Sequence, residues 1–413
     1  MSPPPRIATL VLVSPDGGVL GRLEPFPVDT PWWQDAGPVV AGARTRFGLD
    51  VTILRLLDTE LPAAHGGAVT YLAEAAQAAV LAASGALDLQ AWDVELTEDP
   101  RRQPYARPGG PAADLAWADA VLAGLGRVRS GPAEQVRTWN LSSLWRLPTS
   151  DRAAWLKVVP SFFEHEAALI EHLHGESVPV LLGRDAGRML LVDIPGEDRY
   201  DAAGPELLEM IDGLVDLQAR WRGRIEELIG LGVPDWRGKA LVQAVTEVTE
   251  RAGPLLMPAD RAMLEAFVAV LPERLARIEA CGLPDSLIHG DFHPGNVRGV
   301  PGRLVLLDWG DSSIGHPLLD QPAFLSRIDP TDVPAVRDRW HHAWREALPG
   351  SDPARASTLL APVAAARQAV IFQRFLDSIE PSEHPYHRAD VPDWLRRTAD
   401  MLRYESTSRR LPG

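Results

Sequence analysis

The sequence predicts an α+β chain: a small α/β region, then a strand-rich stretch, then a larger helical part. Three observations lead there. Short apolar runs bounded by turn residues dominate the first half, and apolar residues at helical spacing dominate after Gly204. A chain of 413 residues also exceeds what one ordinary core fills, so two or three domains are expected.

The elements follow in order. Ile7–Val13, Val51–Leu57 and Gly67–Ala73 read as strands, and Gly37–Phe47 as a helix that Gly48 stops. Residues 97–111 are dense in Pro, Gly and charge and read as a linker. Ala112–Leu125 then has helical spacing. Gln135–Trp139, Leu144–Leu147 and Ala153–Val159 are strand candidates, followed by a helix over Phe163–His174 and a strand pair, Val178–Leu182 and Arg188–Val192. These patterns place domains at 1–110, 111–196 and 197–413.

Composition excludes several classes. The 46% apolar and 23% charged fractions are those of a soluble globular protein. No apolar run approaches the roughly 20 residues that cross a bilayer. A lone Cys281 rules out an internal disulfide and a thiolate-rich metal site, and a cytoplasmic location is the expectation. A net charge of -15 disfavours nucleic acid and anionic membranes as partners and suits a cationic small molecule. Lysine is nearly absent: Lys157 and Lys239 are the only two. Where lysine persists in an arginine-rich chain, a compact ammonium is the reason to expect. Lys157 falls mid-strand, whereas Lys239 lies in a polar segment and reads as surface.

The chemistry concentrates in His289-Gly290-Asp291-Phe292-His293-Pro294-Gly295-Asn296 and in Leu306-Leu307-Asp308-Trp309. An apolar strand and a tight turn lift Asp291 out of the core, where a carboxylate can accept a hydroxyl proton. Pro294-Gly295 turns the chain back toward Asn296, and the strand after Gly302 brings Asp308 beside it. Asn and Asp supply the oxygen ligands that Mg²⁺ prefers.

These residues resemble the signature of the aminoglycoside phosphotransferase and choline kinase-like family. The resemblance covers about residues 133–400 and implies a bilobal protein-kinase-like fold, ATP or GTP as donor, Mg²⁺, and a small hydroxylated acceptor. By position, Asp291 is then the catalytic base and Asn296 and Asp308 are the metal ligands. Lys157 matches the strand lysine that contacts the α- and β-phosphates, with Glu166 as its helix partner. Asp193-Ile194 resembles the hinge whose backbone meets adenine, and His289 and Asp320 resemble residues that brace the catalytic loop. The glycine-free turn Trp139–Leu144 departs from a phosphate-covering loop, and Ser142 and Ser143 are its candidate donors.

Residues 1–110 weakly resemble a Nudix domain, but its metal glutamates would fall on Gly42, Thr45 and Arg46, so a degenerate domain is expected. Its roles would be a cap, a surface for homo-oligomer formation, or a ligand sensor. The expected function is phosphoryl transfer to a hydroxyl of an amine-bearing sugar, aminoglycoside or related metabolite. The alternative is a nucleotide-binding regulatory protein, a pseudokinase with little turnover. The acidic segment Asp377, Glu380, Glu383, Asp390 and Asp393 is the expected attractor for a cationic acceptor.

Overall fold

The computed structural model describes residues 4–61 and 64–408. The chain forms two compact units. The first takes residues up to Phe162 together with Leu181–Asp193 and Phe375–Ala389; the second takes Phe163–Val180, Ile194–Arg374 and the C-terminal stretch from Asp390.

The first unit opens with β1 (Arg6–Val13), β2 (Val19–Arg22), β3 (Phe26–Val28), α1 (Ala36–Phe47), β4 (Thr52–Thr59) and β5 (Gly67–Glu74), followed by the short α2 (Ala78–Ala83). The sheet runs β2-β1-β5-β4, with β3 also on β1. Only β1 and β5 are parallel, paired along their full length from Arg6↔Gly67 to Val13↔Glu74. Both read as near-continuous apolar runs because both faces are covered. Helix α1 ends on Gly48 in the left-handed conformation, as its sequence predicts. Gly42 packs so closely on Phe26 that a Cβ would lie 2.7 Å from the ring. Of the two adjacent tryptophans, Trp33 is in the core and Trp32 is exposed.

Helix α3 (Gly110–Gly124) and strands β6 (Glu134–Trp139), β7 (Ser142–Leu147), β8 (Ala154–Val158), β9 (Leu181–Asp185) and β10 (Arg188–Val192) complete this unit. The second sheet runs β6-β7-β8-β10-β9 and is antiparallel. Helix α3 sets Ala118 and Leu122 against Leu147, Leu156 and Leu190. Asp114 anchors α3 by accepting from Arg188 Nε at 2.7 Å.

The edge strand β4 would leave backbone groups unpaired. Side chains satisfy them. The Gln135 carboxamide accepts from Ile53 N at 2.8 Å and donates to Ile53 O at 2.7 Å. Glu383 accepts from Leu56 N at 2.8 Å. The stretch 97–111 is anchored rather than a free linker. Arg102 pairs with Glu380 at 2.9 Å, and the Tyr105 hydroxyl donates to Trp139 O at 3.0 Å. Tyr386 sits edge-on to Trp33 and Trp139 within the same core.

Glu383 therefore links stability to pH. Burial is the largest cause that pushes its carboxyl from 4.5 up to about 7, against the pull of Leu56 N–H. Between those values the folded chain holds a proton that the unfolded chain has released. The stabilisation is thus fully present below pH 4.5 and is lost as pH rises through about 7. Glu383→Gln keeps the acceptor for Leu56 but cannot ionise. Between pH 5 and pH 9 it is expected to gain about 2–3 kcal/mol relative to wild type. Urea titrations across that range check this, and parallel pH profiles would rule it out.

The second unit holds α4 (His165–His172), β11 (Glu197–Asp198), α5 (Pro205–Trp221), α6 (Ile225–Gly230), α7 (Gly238–Ala252), α8 (Pro258–Ala269) and α9 (Leu271–Glu279). It continues with β12 (Ser286–Ile288), β13 (Val297–Val300), β14 (Arg303–Leu306), β15 (Ser313–Gly315), α10 (Gln321–Leu325), α11 (Val333–Ala347), α12 (Pro353–Ser378) and α13 (Asp390–Ser408), with α12 passing into the first unit at Phe375. Two small ladders interrupt the helices: β12 with β15, and β11-β13-β14. Between them they hold the segment 286–315. Cys281 is buried with a free thiol.

Candidate active site

The buried strand β12 delivers His289, Gly290 and Asp291 to its C-terminal end. Gly290 has φ 91°, and a Cβ there would lie 2.0 Å from the Asp311 carbonyl oxygen, so the turn requires glycine. The two backbone N–H groups of this turn donate to one buried carboxylate: His289 N to Asp320 Oδ2 at 3.0 Å and Gly290 N to Oδ1 at 2.7 Å. Gln218 Nε2 adds a third bond to Oδ2 at 2.9 Å. Burial raises the Asp320 carboxyl to about 6, opposed by the two N–H groups and by Arg367. Arg367 is itself buried and donates to Ser313 Oγ at 2.6 Å.

His289 is fully buried, and burial lowers it to about 4, so the ring is neutral near pH 7. Its Nε2–H donates to Leu307 O at 2.8 Å, and the ring lies 4.6 Å from Trp309. Its role is to tie β12 to the end of β14.

Asp291 keeps 39% of its side chain exposed. Asn296 Nδ2 donates to Asp291 O at 2.9 Å and to Oδ2 at 3.2 Å. Two oxygens face that position, so it must be the amide nitrogen, and the carboxamide oxygen is left for another partner. His293 Nδ1 accepts from Gly295 N at 3.0 Å, which puts the ring proton on Nε2, 3.4 Å from Asp291 Oδ2.

The Leu307 N–H donates to Asn296 O at 2.8 Å and fixes Asp308 next to Asn296 along the chain path. Asp308 itself is left-handed, with φ 62° and ψ 64°. Asp tolerates that region better than most residues, and strain of this kind clusters at functional sites. Immediately after it, Trp309 N donates to Glu166 Oε1 at 3.1 Å. One hydrogen-bonded network in the helical unit thus gathers Asp291, Asn296, the Asp308 turn and Glu166.

The remaining candidates belong to the strand-rich unit, except Ile194, which belongs to the helical unit. Lys157 is in the central strand β8, paired with Leu144 and Met189. The alternation of β8 turns Leu156 toward α3 and Lys157 to the opposite face. Ser142 shares the Lys157 face. Ser143 does not: it is buried with the core side chains, and its Oγ accepts from Trp145 Nε1 at 3.0 Å. Asp193 N donates to Ala153 O, and its carboxylate accepts from Trp155 Nε1 at 2.7 Å. In the helical unit, Ile194 O accepts from Arg298 Nε at 2.9 Å.

Two features differ from expectation. The acidic C-terminal segment does not form one attractor, because Glu380 and Glu383 are buried in the strand-rich unit, where they serve Arg102, Arg55 and Leu56. Asp393 pairs with Arg396. The glycine-free turn is also shorter than the segment suggested. Trp139 pairs directly with Ser142, and only the buried Asn140 and Leu141 lie between. Asn140 Oδ1 accepts from His387 Nε2 at 2.9 Å.

Sequence reasoning missed Arg367, Gln218 and Tyr200. Arg367 and Arg374 recur one heptad apart in an alanine-rich helix, a spacing that marks one face and was available as a signal. Tyr200 is exposed, and a Cβ at Gly295 would meet its ring at 2.3 Å, so the two pack in close contact. Nothing in the local sequence foretold that contact.

The segment thus presents a strand-borne Asp with an Asn folded back onto it, followed by an Asp at a strand end. A model of the phosphotransferase enzyme family matches residues 140–359, more than half of the 413. The chain belongs to this family of phosphotransferase enzymes, and its fold is α+β.

Among solved structures, it is similar to a macrolide 2'-phosphotransferase from Brachybacterium faecium, at 18% identity and a TM-score of 0.48, over 68% of this chain and 98% of that one. It is similar to a choline/ethanolamine kinase family protein from Mesorhizobium loti, at 15% identity and 0.48, over 72% and 97%. A choline kinase from Streptococcus pneumoniae matches at 14% and 0.47, over 70% and 99%. No curated protein matches the chain. Among the described residues, no helix is long and apolar enough to cross a membrane.

Proposed function

We propose that this enzyme transfers the γ-phosphate of ATP or GTP to a hydroxyl of a small molecule, an amine-bearing sugar, aminoglycoside or related metabolite. The observation that carries the proposal is the Asn296–Asp291 pair. Its hydrogen bonds hold Asp291 as a half-exposed carboxylate and orient the Asn296 oxygen away from it.

Asp291 is the base. It accepts the proton of the acceptor hydroxyl and aligns that oxygen with the phosphorus. Asn296 and Asp308 present oxygen ligands, which fit Mg²⁺. Among the described residues, no three His, Cys, Asp or Glu side chains group as a self-sufficient metal site, so the further ligands would be phosphate and water. When bound, Mg²⁺ would neutralise phosphate charge. Lys157 is assigned to the α- and β-phosphates, Glu166 to positioning, and Ser142 to the phosphate-facing side of β7. The Ser143 hydroxyl is buried against Trp145 and its backbone lies within the β6-β7-β8 ladder, so Ser143 is not assigned to the phosphates. With Asp193 N and Ile194 O engaged, the Asp193 carbonyl and Ile194 N–H are the groups proposed for adenine.

The amine-bearing class is supported by the net charge of -15. Asp390 and Asp393 are in the same unit as the catalytic loop, whereas Glu380 and Glu383 are not. The test is an acceptor panel of aminoglycosides, amino sugars, choline-like amines and neutral sugars, with coupled ADP and GDP detection. Turnover confined to neutral or anionic acceptors would exclude the cationic class.

One observation favours a second role, a nucleotide-binding regulator with little turnover. The turn expected over the phosphates is two buried residues pinned by His387, with no glycine. Phosphoryl transfer or nucleotide hydrolysis dependent on Asp308 would exclude that role.

A further inference from the structure

Tyr200 stands beside the turn that carries Asp291. It sits at the tip of a tight turn closed by Ala202 N, which donates to Arg199 O at 3.0 Å. That turn is fixed to the strand that follows Asn296. Arg199 N donates to Val297 O at 3.0 Å, and the preceding Glu197 and Asp198 pair with Gly299 and Arg298. Gly196 permits this approach, since a Cβ there would lie 2.5 Å from the Gly299 carbonyl oxygen. The backbone on either side of Tyr200 is thus pinned.

The Tyr200 ring lies on Gly295. A Cβ at 295 would meet Tyr200 Cε1 at 2.3 Å and His293 Cε1 at 2.8 Å, so the two rings flank the space a side chain there would fill. His293 Nε2 is in turn 3.4 Å from Asp291 Oδ2. Tyr200, His293 and Asp291 therefore follow one another along the part of the turn that carries the proposed base. Although packed in this way, Tyr200 remains 61% exposed, and its hydroxyl has no hydrogen-bond partner among the described residues. Single exposed aromatics are common on surfaces; this one is distinguished by a fixed backbone and a fixed place beside a base. A rigid aromatic side chain offers contact area at low entropic cost.

The charges around the ring select among occupants. Arg199 is engaged by Glu206, and Arg298 by Asp198. Asp201, next to Tyr200 in the turn, is exposed and has no ion-pair partner among the described residues. We propose that Tyr200 is a specificity-determining residue of the acceptor site, the platform for an amine-bearing ring of the acceptor whose hydroxyl reaches Asp291. The inference rests on the phosphoryl-transfer reading above and narrows its acceptor class to cationic rings. The face of a phenol ring attracts a cation within about 6 Å of its centroid. A neutral ring would keep the contact area and lose that attraction. An anion would meet the negative face of the ring and Asp201.

The test is calorimetric titration and steady-state transfer on the full chain with three probes: kanamycin A, its fully N-acetylated form, and choline. The first has amine-bearing rings, the second the same rings without charge, the third a charge without a ring. Wild type is expected to bind kanamycin A most tightly. Tyr200→Ala should weaken that binding and raise the kanamycin KM on the order of tenfold, with kcat and nucleotide KM within about twofold. Tyr200→Leu still covers Gly295 but has no aromatic face, so it should resemble the alanine variant, whereas Tyr200→Phe should resemble wild type. A role confined to packing on Gly295 would instead be rescued by leucine. If the alanine variant does not fold, the leucine and phenylalanine variants make the comparison. Absent kanamycin binding, equal or tighter binding of either other probe, or rescue by leucine overturns the platform. So does a rise in nucleotide KM in place of acceptor KM. Turnover by wild type with an unchanged acceptor KM in the folded variants removes the platform and leaves phosphoryl transfer standing. Kanamycin binding that depends on Tyr200 without any transfer supports the platform and removes phosphoryl transfer.

Discussion

Asp291→Asn is expected to lower kcat by about 10²–10⁴-fold, the usual contribution of a general base, with little change in stability or in nucleotide KM. The fold should tolerate the change because Asn can still present an oxygen to Asn296 Nδ2, which now bonds Asp291 Oδ2 at 3.2 Å. What is lost is the capacity to take a proton. Asp291 is half-exposed, so its replacement empties no core. Steady-state kinetics on an accepted substrate, beside a thermal melt, measures both quantities. Full turnover by the folded variant would remove Asp291 from the role of base.

Asp320→Ala is expected to have the largest effect on stability, on the order of 3–6 kcal/mol, together with a loss of turnover. The substitution strands two buried donors, His289 N and Gly290 N, and leaves Gln218 Nε2 only its 3.4 Å bond to Pro317 O. It also removes a carboxylate whose charge favours the buried Arg367 guanidinium. Asp320→Asn should fall between the two, because a carboxamide offers one oxygen where the turn needs two. Denaturant titration of the three proteins checks the order. An alanine variant within about 1 kcal/mol of wild type would show that the bracing is not structural.

Much of the candidate site's geometry was legible because its residues are close in sequence. Asp291, Asn296 and Asp308 fall within one strand–turn–hairpin segment, where local geometry nearly dictates who meets whom. The glycine at 290 was legible for the same reason. Lys157 stood out through the scarcity of lysine, and its place in β8 matches that expectation. The strands β1, β4 and β5 were legible from apolar runs, whereas β2 and β3, of four and three residues, lack a run long enough to show a period.

What was not legible depends on contacts far apart in sequence. Glu383 and Glu380 read as attractors for a cationic acceptor because nothing near them in the chain reveals Leu56, Arg55 and Arg102. Ser143 read as a phosphate donor because its face depends on the strand register, and the alternation turns it to the core. Residues 97–111 have a linker's composition but are anchored by Arg102 and Tyr105, two side chains that composition does not weigh.

Asp291, Asn296 and Asp308 are proposed to form a working phosphoryl-transfer site. The most direct measurement is phosphate transfer from γ-labelled ATP or GTP to an acceptor hydroxyl, with wild type and Asp308→Ala compared in the same assay. Acceptor-dependent labelling by wild type, reduced by at least about 10²-fold in the variant, is the result predicted. Equal labelling by both proteins, or no acceptor-dependent labelling by wild type across the panel, would contradict it.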